Sequence, residues 1–551
     1  MQTNRIDTEV LIVGAGPVGL VLAIDLGQRG VCCTLIERKD APQFLPKMER
    51  CNARTMEIFR RMGIVDTVRA AGLRADVPMD VYLVLALNRP PLLHLPYPSV
   101  AEARRRIDAC TDGTMPLEPY QLISQYTLEP LLKSIAESLP TVTVRYGCEF
   151  VSFDQDASGV TTKILFQDKT SKVKSRYLVG CDGGTSAVRQ QLGIGLRGEG
   201  DLLRFRQALY YCEELFGKLP IGNGPGQGRH YHVVDECASF LIMQDSTRHW
   251  TLHARVAQDA DMARQFEATV GIPVKYEMLN VGEWKHNLLL ADHYGMDRVF
   301  LAGDAVHLVI PTGGLGMNSG VGDAVDLGWK LAGTLQGWGG PNLLASYEVE
   351  RRQVGDRNVG ASRYASAGRR KWRSLYRPEI GDDSAAGKAA RDHLVRVADV
   401  EQRKSNEMIG AELGYRYVGS PVIWEEPGGP EHLFREYVPT TWPGARLPHV
   451  WLKDHVAIQD RIGRGYTLLR LGGCREDASV LANAMRTCGA PFDVLDIPDA
   501  GARDLYGCDL ILLRPDLHVA WRGQRAPAQP QALAALVTGN RETTGQITER
   551  S

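Results

Sequence analysis

The chain has 551 residues, and its 64 lysines and arginines against 65 aspartates and glutamates give a formal net charge of −1. This balance supplies no basic field for nucleic acid or an anionic membrane. Hydrophobic residues make up 44% and charged residues 23%, a composition typical of a globular protein and not of a disordered or fibrous one. At roughly 150 residues per domain, this length predicts three to four domains.

The first residues contain no secretory signal pattern, and no apolar run is long enough to span a membrane. We therefore expect a cytoplasmic protein. Eleven cysteines are scattered along the chain without a CxxC pair or zinc spacing. These cysteines predict reduced thiols that pack as small hydrophobic residues, and they predict no metal site.

The strongest local pattern lies near the N-terminus. Residues 10–13 predict a strand, and Gly14, Gly16 and Gly19 then open a predicted helix, with Glu37 at the end of the next predicted strand. In such a βαβ unit the glycines allow a tight turn, approach of backbone to a pyrophosphate, and close packing of helix on strand. The helix N-terminus attracts phosphate, and the carboxylate accepts ribose hydroxyls. The pattern predicts a dinucleotide site.

Further elements follow in chain order. Residues 75–115 are rich in proline and predict a loop-like excursion from the first domain. A predicted helix at 126–138 precedes predicted strands in 141–180, and β-type segments at 200–290 predict an antiparallel middle domain. Residues 360–410 are charged and helical, and residues from about 440 onward contain three further predicted strands.

Two more glycine-rich motifs accompany predicted strands. Asp182 and Gly183 follow one apolar strand, and Gly303 and Asp304 follow another at 298–302. The second of these motifs continues through a glycine-rich loop into a helix that begins near Gly316. Either motif alone is compatible with an ordinary turn, but their order and spacing together favour a cofactor site.

In this order the three motifs resemble those of the class A flavoprotein aromatic hydroxylases, the group that includes para-hydroxybenzoate hydroxylase and phenol hydroxylase. The resemblance covers nearly the whole chain. It implies a fold of mixed α/β and α+β class, in which a Rossmann-like FAD-binding domain comprises residues 1–195 and 290–400, with 75–115 contributing to the substrate domain. It further implies a β-sheet substrate domain at 196–289, and a linker helix with a thioredoxin-like domain at 400–551.

The resemblance also implies non-covalent FAD. Glycines of the first motif and Glu37 would hold the ADP half, Asp182 would lie along the pyrophosphate, and Asp304 would bind the ribityl chain. The helix near Gly316 would direct its N–H groups toward the flavin pyrimidine, because a helix N-terminus stabilises the anionic reduced flavin. The residues assigned to the cofactor in this way are Gly14, Gly16, Pro17, Val18, Gly19, Glu37, Arg38, Lys47, Arg54, Gln125, Asp182, Gly183, Gly303, Asp304, Pro311, Gly314, Gly316, Met317 and Asn318.

The implied activity is hydroxylation of a phenolic or other electron-rich aromatic ring through a flavin C4a-hydroperoxide, with NADH or NADPH as transient co-substrate and O₂ as oxidant. A small aromatic substrate is the expected partner, and a homodimer is the expected assembly. No catalytic residue can be assigned from the sequence. The shortlist for substrate contacts is His230, His232, Tyr211 and Arg204, with Tyr210 and Tyr231. Alternation along a strand places His230 and His232 on one face and Tyr231 on the other.

Other functions of the same fold stay open. A flavin-dependent epoxidase or Baeyer–Villiger oxygenase acting on a polycyclic or polyketide substrate is the main alternative. A flavin halogenase would carry a W-x-W-x-I-P signature, which the nine tryptophans do not form, and a catalytically silent flavin-binding protein would not need all three motifs. The C-terminal unit lacks a CxxC, so we expect it to serve packing and not redox chemistry.

Overall fold

The computed structural model describes residues 6–221 and 229–541, and within them strands and helices are mixed in the expected α/β class. The α-helices are α1 (Pro17–Gln28), α2 (Ala53–Arg61), α3 (Val65–Ala71), α4 (Val100–Asp108), α5 (Gln125–Glu137), α6 (Ala187–Gln191), α7 (Glu213–Lys218), α8 (Asp261–Val270), α9 (Gly316–Leu335), α10 (Pro341–Arg373), α11 (Ala385–Asn406), α12 (Ile409–Leu413), α13 (Ile458–Arg461), α14 (Ser479–Thr487), α15 (Ala500–Tyr506) and α16 (Pro530–Val537). In this part of the chain, no helix has the length and apolar character that crossing a membrane requires.

The strands are β1 (Thr8–Val13), β2 (Cys33–Ile36), β3 (Arg50–Cys51), β4 (Val81–Val84), β5 (Leu93–Leu95), β6 (Gln121–Leu122), β7 (Val142–Arg145), β8 (Cys148–Asp156), β9 (Gly159–Phe166), β10 (Lys169–Gly180), β11 (Leu196–Glu199), β12 (Arg204–Tyr211), β13 (His230–Val233), β14 (Phe240–Met243), β15 (His249–Ala254), β16 (Glu277–Lys285), β17 (Leu288–Ala291), β18 (Gly295–Met296), β19 (Val299–Leu301), β20 (His307–Leu308), β21 (Tyr466–Leu471), β22 (Phe492–Ile497), β23 (Leu510–Leu513) and β24 (Val519–Gly523). They form two large sheets, one four-stranded sheet and two smaller ones.

The first large sheet has the order β18-β19-β10-β1-β2-β7, with β9 and β8 continuing from β10. Its central strands are parallel and in register, so that Val13 lies beside both Ile36 and Gly180, and Gly180 lies beside Leu301. Four strands from distant parts of the chain therefore end at one edge. The last residues of each strand, next to this edge, are apolar, as a parallel sheet covered by helices on its faces requires.

The second large sheet has the order β16-β12-β15-β14-β13-β4-β5. Its β4 and β5 come from residues 81–95, so the proline-rich excursion adds two strands to the middle sheet. One face packs on helix α8 around Tyr210, whose ring stacks on Phe266 with centroids 4.1 Å apart. The other face looks toward the first sheet.

Helices α4 and α8 differ from the sequence-based expectation, as does the short helix α7 within the predicted β domain. Helix α4 lies inside the segment predicted as loop-like, and its start is fixed by a capping box in which Ser99 and Glu102 each bond the other's backbone N–H. This S-x-x-E pattern is a known signal for the start of a helix, but the prolines around it led to the prediction of a loop. Helix α8 lies inside the predicted β domain, and it ends at Gly271 in the left-handed conformation.

The C-terminal unit is a four-stranded sheet of order β22-β21-β23-β24, with β21 and β22 parallel and the others antiparallel. Helices α14 and α16 pack on it, which gives the βαβαββα succession of a thioredoxin-like domain. Its cysteines Cys474, Cys488 and Cys508 are free, as are the other eight cysteines.

A buried ionic network joins this unit to the first domain. Arg514 donates to Glu350 on α10, to Asp326 on α9 and to Asp516, with distances of 2.5–3.1 Å. Lys330 completes the network by donating to Asp326 at 2.7 Å and to Glu350 at 2.6 Å. All five side chains are at most 3% exposed. Burial raises the pKa of Asp326 to about 7 despite the opposing charges of Lys330 and Arg514.

The Arg514→Met variant tests this interface. Removing the guanidinium leaves three buried carboxylates with Lys330 as the one buried cation beside them and His518 in contact with Asp516 alone, among the described residues. We therefore expect the free energy of unfolding to fall by about 3–5 kcal/mol. The matched control is Arg522→Met, which breaks the partly exposed pair with Glu426 and should cost at most about 1 kcal/mol. Denaturant titration followed by circular dichroism measures both, and equal loss in the two variants would contradict the assignment.

Candidate active site

A cavity of about 830 Å³ lies between the carboxyl edge of the parallel sheet and the open face of the middle sheet. Both large sheets contribute to its wall, as do the start of α9 and side chains from α10 and α11. The three sequence motifs therefore surround a single space.

The first motif forms the nucleotide end of this cavity. Gly14 has a φ of +105°, and an added Cβ would lie 2.5 Å from the carbonyl oxygen of Cys181. Glu37 accepts hydrogen bonds from the backbone N–H of Ala15 at 3.0 Å and of Lys39 at 3.1 Å. Helix α1 begins after Gly16 without any side-chain cap, so the N–H groups of its first turn are not used by a protein side chain.

The second motif is built around a helix cap. The carboxylate of Asp182 accepts from Ser186 Oγ at 2.5 Å and from the backbone N–H of Ala187 at 2.8 Å, which fixes the start of α6. Arg189 on α6 donates to the carbonyl oxygens of Gly184 and Ala305 at 3.0 and 2.9 Å. This arginine therefore ties the second motif to the third.

The third motif presents Asp304 to the cavity. Burial raises the pKa of this carboxyl, and nearby His307 opposes the shift. His307 Nε2 lies 2.8 Å from Asp323, which also accepts from the N–H of Gly303 and from Arg351 Nε. His307 braces the loop through Asp323.

The N-terminus of α9 closes the same side. It starts at Gly316 without a side-chain cap. Asn318 in its first turn uses both ends of its amide on the protein: the oxygen accepts from the N–H of Asn52 and from Thr55 Oγ1, and the nitrogen donates to the carbonyls of Arg50 and Gly314. These bonds hold the helix start against β3 and α2.

Most residues assigned to the cofactor from the sequence line this cavity. Gln125 is among them, and its side chain donates to Glu129 at 2.5 Å. Burial raises the pKa of Glu129. The assigned residues in the wall are Gly14, Gly16, Pro17, Val18, Glu37, Arg38, Lys47, Gln125, Asp182, Gly183, Asp304, Pro311, Gly314, Gly316, Met317 and Asn318.

Three assigned residues do not line the wall. Gly19 and Gly303 act in packing, because an added Cβ would lie 2.0 Å from the oxygen of Gly14 and 2.9 Å from Val18, respectively. Arg54 corrects the sequence-based assignment: its guanidinium faces the C-terminal unit, where it donates to the carbonyl of Asp516 and pairs with Glu57. Helix α2 turns this side chain away from the cavity.

The middle sheet supplies the opposite wall. His230 and His232 both face the cavity from β13, while Tyr231 lies in the core on the other face, as alternation predicted. His230 Nε2 lies 3.1 Å from Glu49 Oε1, at ion-pair distance but without the alignment of a formal hydrogen bond. Burial lowers the pKa of His230, against the charge of Glu49. Burial alone would raise the pKa of Glu49, but His230 and Arg229 outweigh it and lower that pKa to about 2.

Two further histidines occupy this wall. His253 stacks on Phe240 with ring centroids 4.3 Å apart, and His286 lies edge-on to Trp284 at 5.2 Å. Burial lowers the pKa of His253 to about 3 and that of His286 to about 4, so both rings are neutral at neutral pH. Together these rings form an aromatic wall without positive charge of its own.

The other shortlisted residues lie elsewhere. Arg204 is 54% exposed and pairs with Asp201 at the strand start. Tyr211 donates to Glu213 at the opposite end of the same strand, and Tyr210 donates to the carbonyl of Met262 within the core. All three residues lie on β12 of the middle sheet, in the domain that the sequence predicted. Alternation turns Tyr210 to the core, and Arg204 and Tyr211 stand at the two ends of the strand, outside the cavity.

Sequence reasoning missed several wall residues. Glu49 precedes the two-residue strand β3, and Arg369 comes from the middle of the long helix α10, so neither belongs to a motif. Glu129 follows Gln125 by four residues on a helix, a spacing that places both on one face and could have revealed it. Among the described residues, no group of three or more histidine, cysteine, aspartate or glutamate side chains is arranged to hold a metal ion.

Comparisons with known proteins agree with this geometry. Residues 7–362 match the FAD binding domain family, and residues 440–540 match the family described as aromatic-ring hydroxylase, C-terminal. An FAD-dependent monooxygenase of Emericella nidulans is 31% identical, with 95% of this chain and 88% of the relative covered. A 4-methyl-5-nitrocatechol 5-monooxygenase of Burkholderia sp is 32% identical, with 96% of each chain covered. The solved structure of RebC with bound 7-carboxy-K252c is 31% identical with a TM-score of 0.88, covering 98% of this chain and 100% of that one. The chain belongs to the FAD-dependent aromatic-ring hydroxylases.

Proposed function

We propose that this protein hydroxylates a phenolic or other electron-rich aromatic ring, with FAD held in the cavity between its two large sheets and with NAD(P)H and O₂ as co-substrates. The observation that carries the proposal is that one continuous space joins the three cofactor motifs to an aromatic wall on the middle sheet. The proposal includes substrates with several fused rings, because the related RebC binds 7-carboxy-K252c.

The described residues fit FAD. Gly14, Gly16 and Glu37 would hold its ADP half, Asp182 and Gly183 would lie along its pyrophosphate, and Asp304 would bind its ribityl chain. Two helices, α1 and α9, direct uncapped N-termini to the cavity, where N–H groups and the helix dipole favour phosphate and a negatively charged ring. When bound, FAD supplies the transfer of reducing equivalents and the activation of oxygen.

The chain's own residues position the aromatic ring and exclude water. Phe240 and Trp284 offer flat apolar surfaces beside the imidazoles of His253 and His286. An enclosed aromatic wall favours stacking of a second ring system, and the expulsion of water protects reactive species from side reactions.

We further propose that His230 accepts the phenol proton. Its lowered pKa leaves the ring neutral and able to accept a proton at neutral pH. In this arrangement Nε2 carries the hydrogen and faces Glu49, and Nδ1 takes the proton from the substrate hydroxyl. The carboxylate of Glu49, whose pKa is about 2, stays ionised and stabilises the imidazolium that results.

A cytoplasmic location is part of the proposal, and it is supported by eleven cysteines that are all free. The homodimer stays a prediction, which sedimentation of the purified protein would check.

The function is tested with purified, FAD-loaded protein and a panel of phenols. We expect NADH or NADPH oxidation to be slow alone and to accelerate when a phenol binds, with a hydroxylated product identified by mass spectrometry. Coupling of reduction to substrate occupancy follows from differential binding to two states of the enzyme. Equal rates with and without every phenol would contradict the proposal, and an epoxide or lactone product would favour the alternative oxygenase chemistry.

The FAD assignment predicts a specific effect at Gly16. An added Cβ there meets only Glu129 Oε1 at 4.0 Å, so a side chain would project into the cavity without disturbing the fold. We expect Gly16→Val to fold normally but to lower FAD occupancy, measured as the ratio of flavin to protein absorbance. The control is Gly217→Ala on the exposed helix α7, where nothing lies within 4 Å. Full occupancy in Gly16→Val would show that the pyrophosphate lies elsewhere.

The proton-acceptor role predicts a pH signature. In the wild type, kcat should fall on the acid side of neutrality, because burial lowers the pKa of His230 and its protonation there removes the proton acceptor. His230→Gln should lose at least about 100-fold in kcat at neutral pH. Activity should recover as the pH approaches the pKa of the free phenol, about 10, where the substrate ionises unaided. The exposed His293, replaced by Gln, is the control. A uniform loss at all pH values would assign His230 to structure alone.

A further inference from the structure

Arg369 is a partly buried cation that has no counter-ion among the described residues. It projects from α10 into the substrate end of the cavity, where its Nε is buried, and within residues 6–221 and 229–541 its guanidinium has no hydrogen bond or salt bridge. Its one specific contact is with Phe240, whose ring centroid lies 5.3 Å from the guanidinium carbon. Buried arginines are ordinarily paired, because an isolated charge in the interior costs several kcal/mol.

The neighbours of Arg369 do not supply the missing anion. Glu49 is the nearest acid that acts on its charge, but that carboxylate is engaged by His230. His253 and His286 are neutral, and Arg369 itself helps to keep their pKa values low. Burial lowers the pKa of Arg369 to about 10, which still leaves it charged at neutral pH.

Unpartnered donors accompany this arginine. His253 is 7% exposed and His286 is 9% exposed. The Nδ1 atoms of both rings have no hydrogen-bond partner among the described residues. Trp284 Nε1 is likewise buried without a partner. All three side chains line the same end of the cavity as Arg369. This end therefore combines the positive charge of Arg369 with several unsatisfied polar atoms.

We infer that Arg369 binds a carboxylate carried by the aromatic substrate. The planar guanidinium offers parallel N–H groups that match the two oxygens of a carboxylate, which a neutral substituent cannot replace. The inference rests on the proposed function for the identity of the cavity's occupant, and it narrows the substrate class to aromatic acids. Arg369 projects from α10 onto Phe240 of the middle sheet, and not onto Gly14 or Glu37, so the phosphates of FAD are not its partner.

The test uses matched pairs of probes that differ only in charge: 4-hydroxybenzoate with 4-hydroxybenzamide, and 3-hydroxy-2-naphthoate with 3-hydroxy-2-naphthamide. Binding to the FAD-loaded protein is followed by the change in flavin absorbance, without turnover. We expect the wild type to bind at least one acid more tightly than its amide. Arg369→Gln should raise the Kd of that acid about 10- to 100-fold, the range of a charge-assisted hydrogen-bonded pair, and Arg369→Lys should give an intermediate value.

The control is Arg370→Gln. This neighbouring side chain is exposed and contacts only Ser366 among the described hydrogen bonds, so its replacement should leave both Kd values unchanged.

Three binding results would each overturn the inference. They are equal affinity of acid and amide in the wild type, failure of both acids to bind, and an equal loss of affinity for acid and amide in Arg369→Gln. A raised KM for NADPH with unchanged acid binding would also overturn it and assign the anion to the dinucleotide. If the enzyme hydroxylates the amides but not the acids, the proposed function is supported and the carboxylate inference is rejected. If the acids bind through Arg369 but cause no NAD(P)H oxidation, the carboxylate inference is supported and the proposed function is rejected.

Discussion

The parallel register of β2, β1, β10 and β19 is the constraint on which the site depends. Because Val13 lies beside Ile36 and Gly180, and Gly180 beside Leu301, the residues that follow these strands emerge at one edge. Parallel strands present their carboxyl ends together, and ligands bind outside that edge. A shift of one residue in any pair would turn the apolar side chains of that strand to the opposite face and displace its motif.

The middle sheet is subject to a different constraint, because one of its faces packs in a core and the other lines the cavity. Period-two alternation does this on β13, where His230 and His232 look into the cavity and Tyr231 packs inside. Proline-rich residues 75–115 then serve a clear purpose, because they carry β4 and β5 across to extend this sheet beside β13. The cavity is thus enclosed by segments that are separated by up to hundreds of residues in the chain.

Local patterns predicted much of the fold and the cofactor side of the site. The G-x-G-x-x-G turn, Asp182 and Asp304 each follow an apolar strand, and the three motifs combine into one recognisable order. What the sequence could not supply was the direction of side chains that belong to no motif. Arg54 lies in the first turn of α2, and its side chain turns to the C-terminal unit, where it donates to the carbonyl of Asp516. Glu49 precedes β3, which is held at the substrate wall by pairing with β6. Tyr211 lies outside the cavity for a simpler reason, because it stands at a strand end where alternation no longer decides burial.

Two arginines show how charge pairing separates structure from function in this chain. Arg514 is fully buried and is surrounded by Asp326, Glu350 and Asp516, so its cost of desolvation is offset inside the protein and its role is to join two domains. Arg369 is partly buried in the cavity wall, and no carboxylate among the described residues contacts it. Folding alone would favour a neutral side chain at that position, because an unpaired interior charge destabilises the native state. A charge that no partner within the fold requires, placed beside the neutral rings of His253 and His286, is explained when its partner arrives with the ligand.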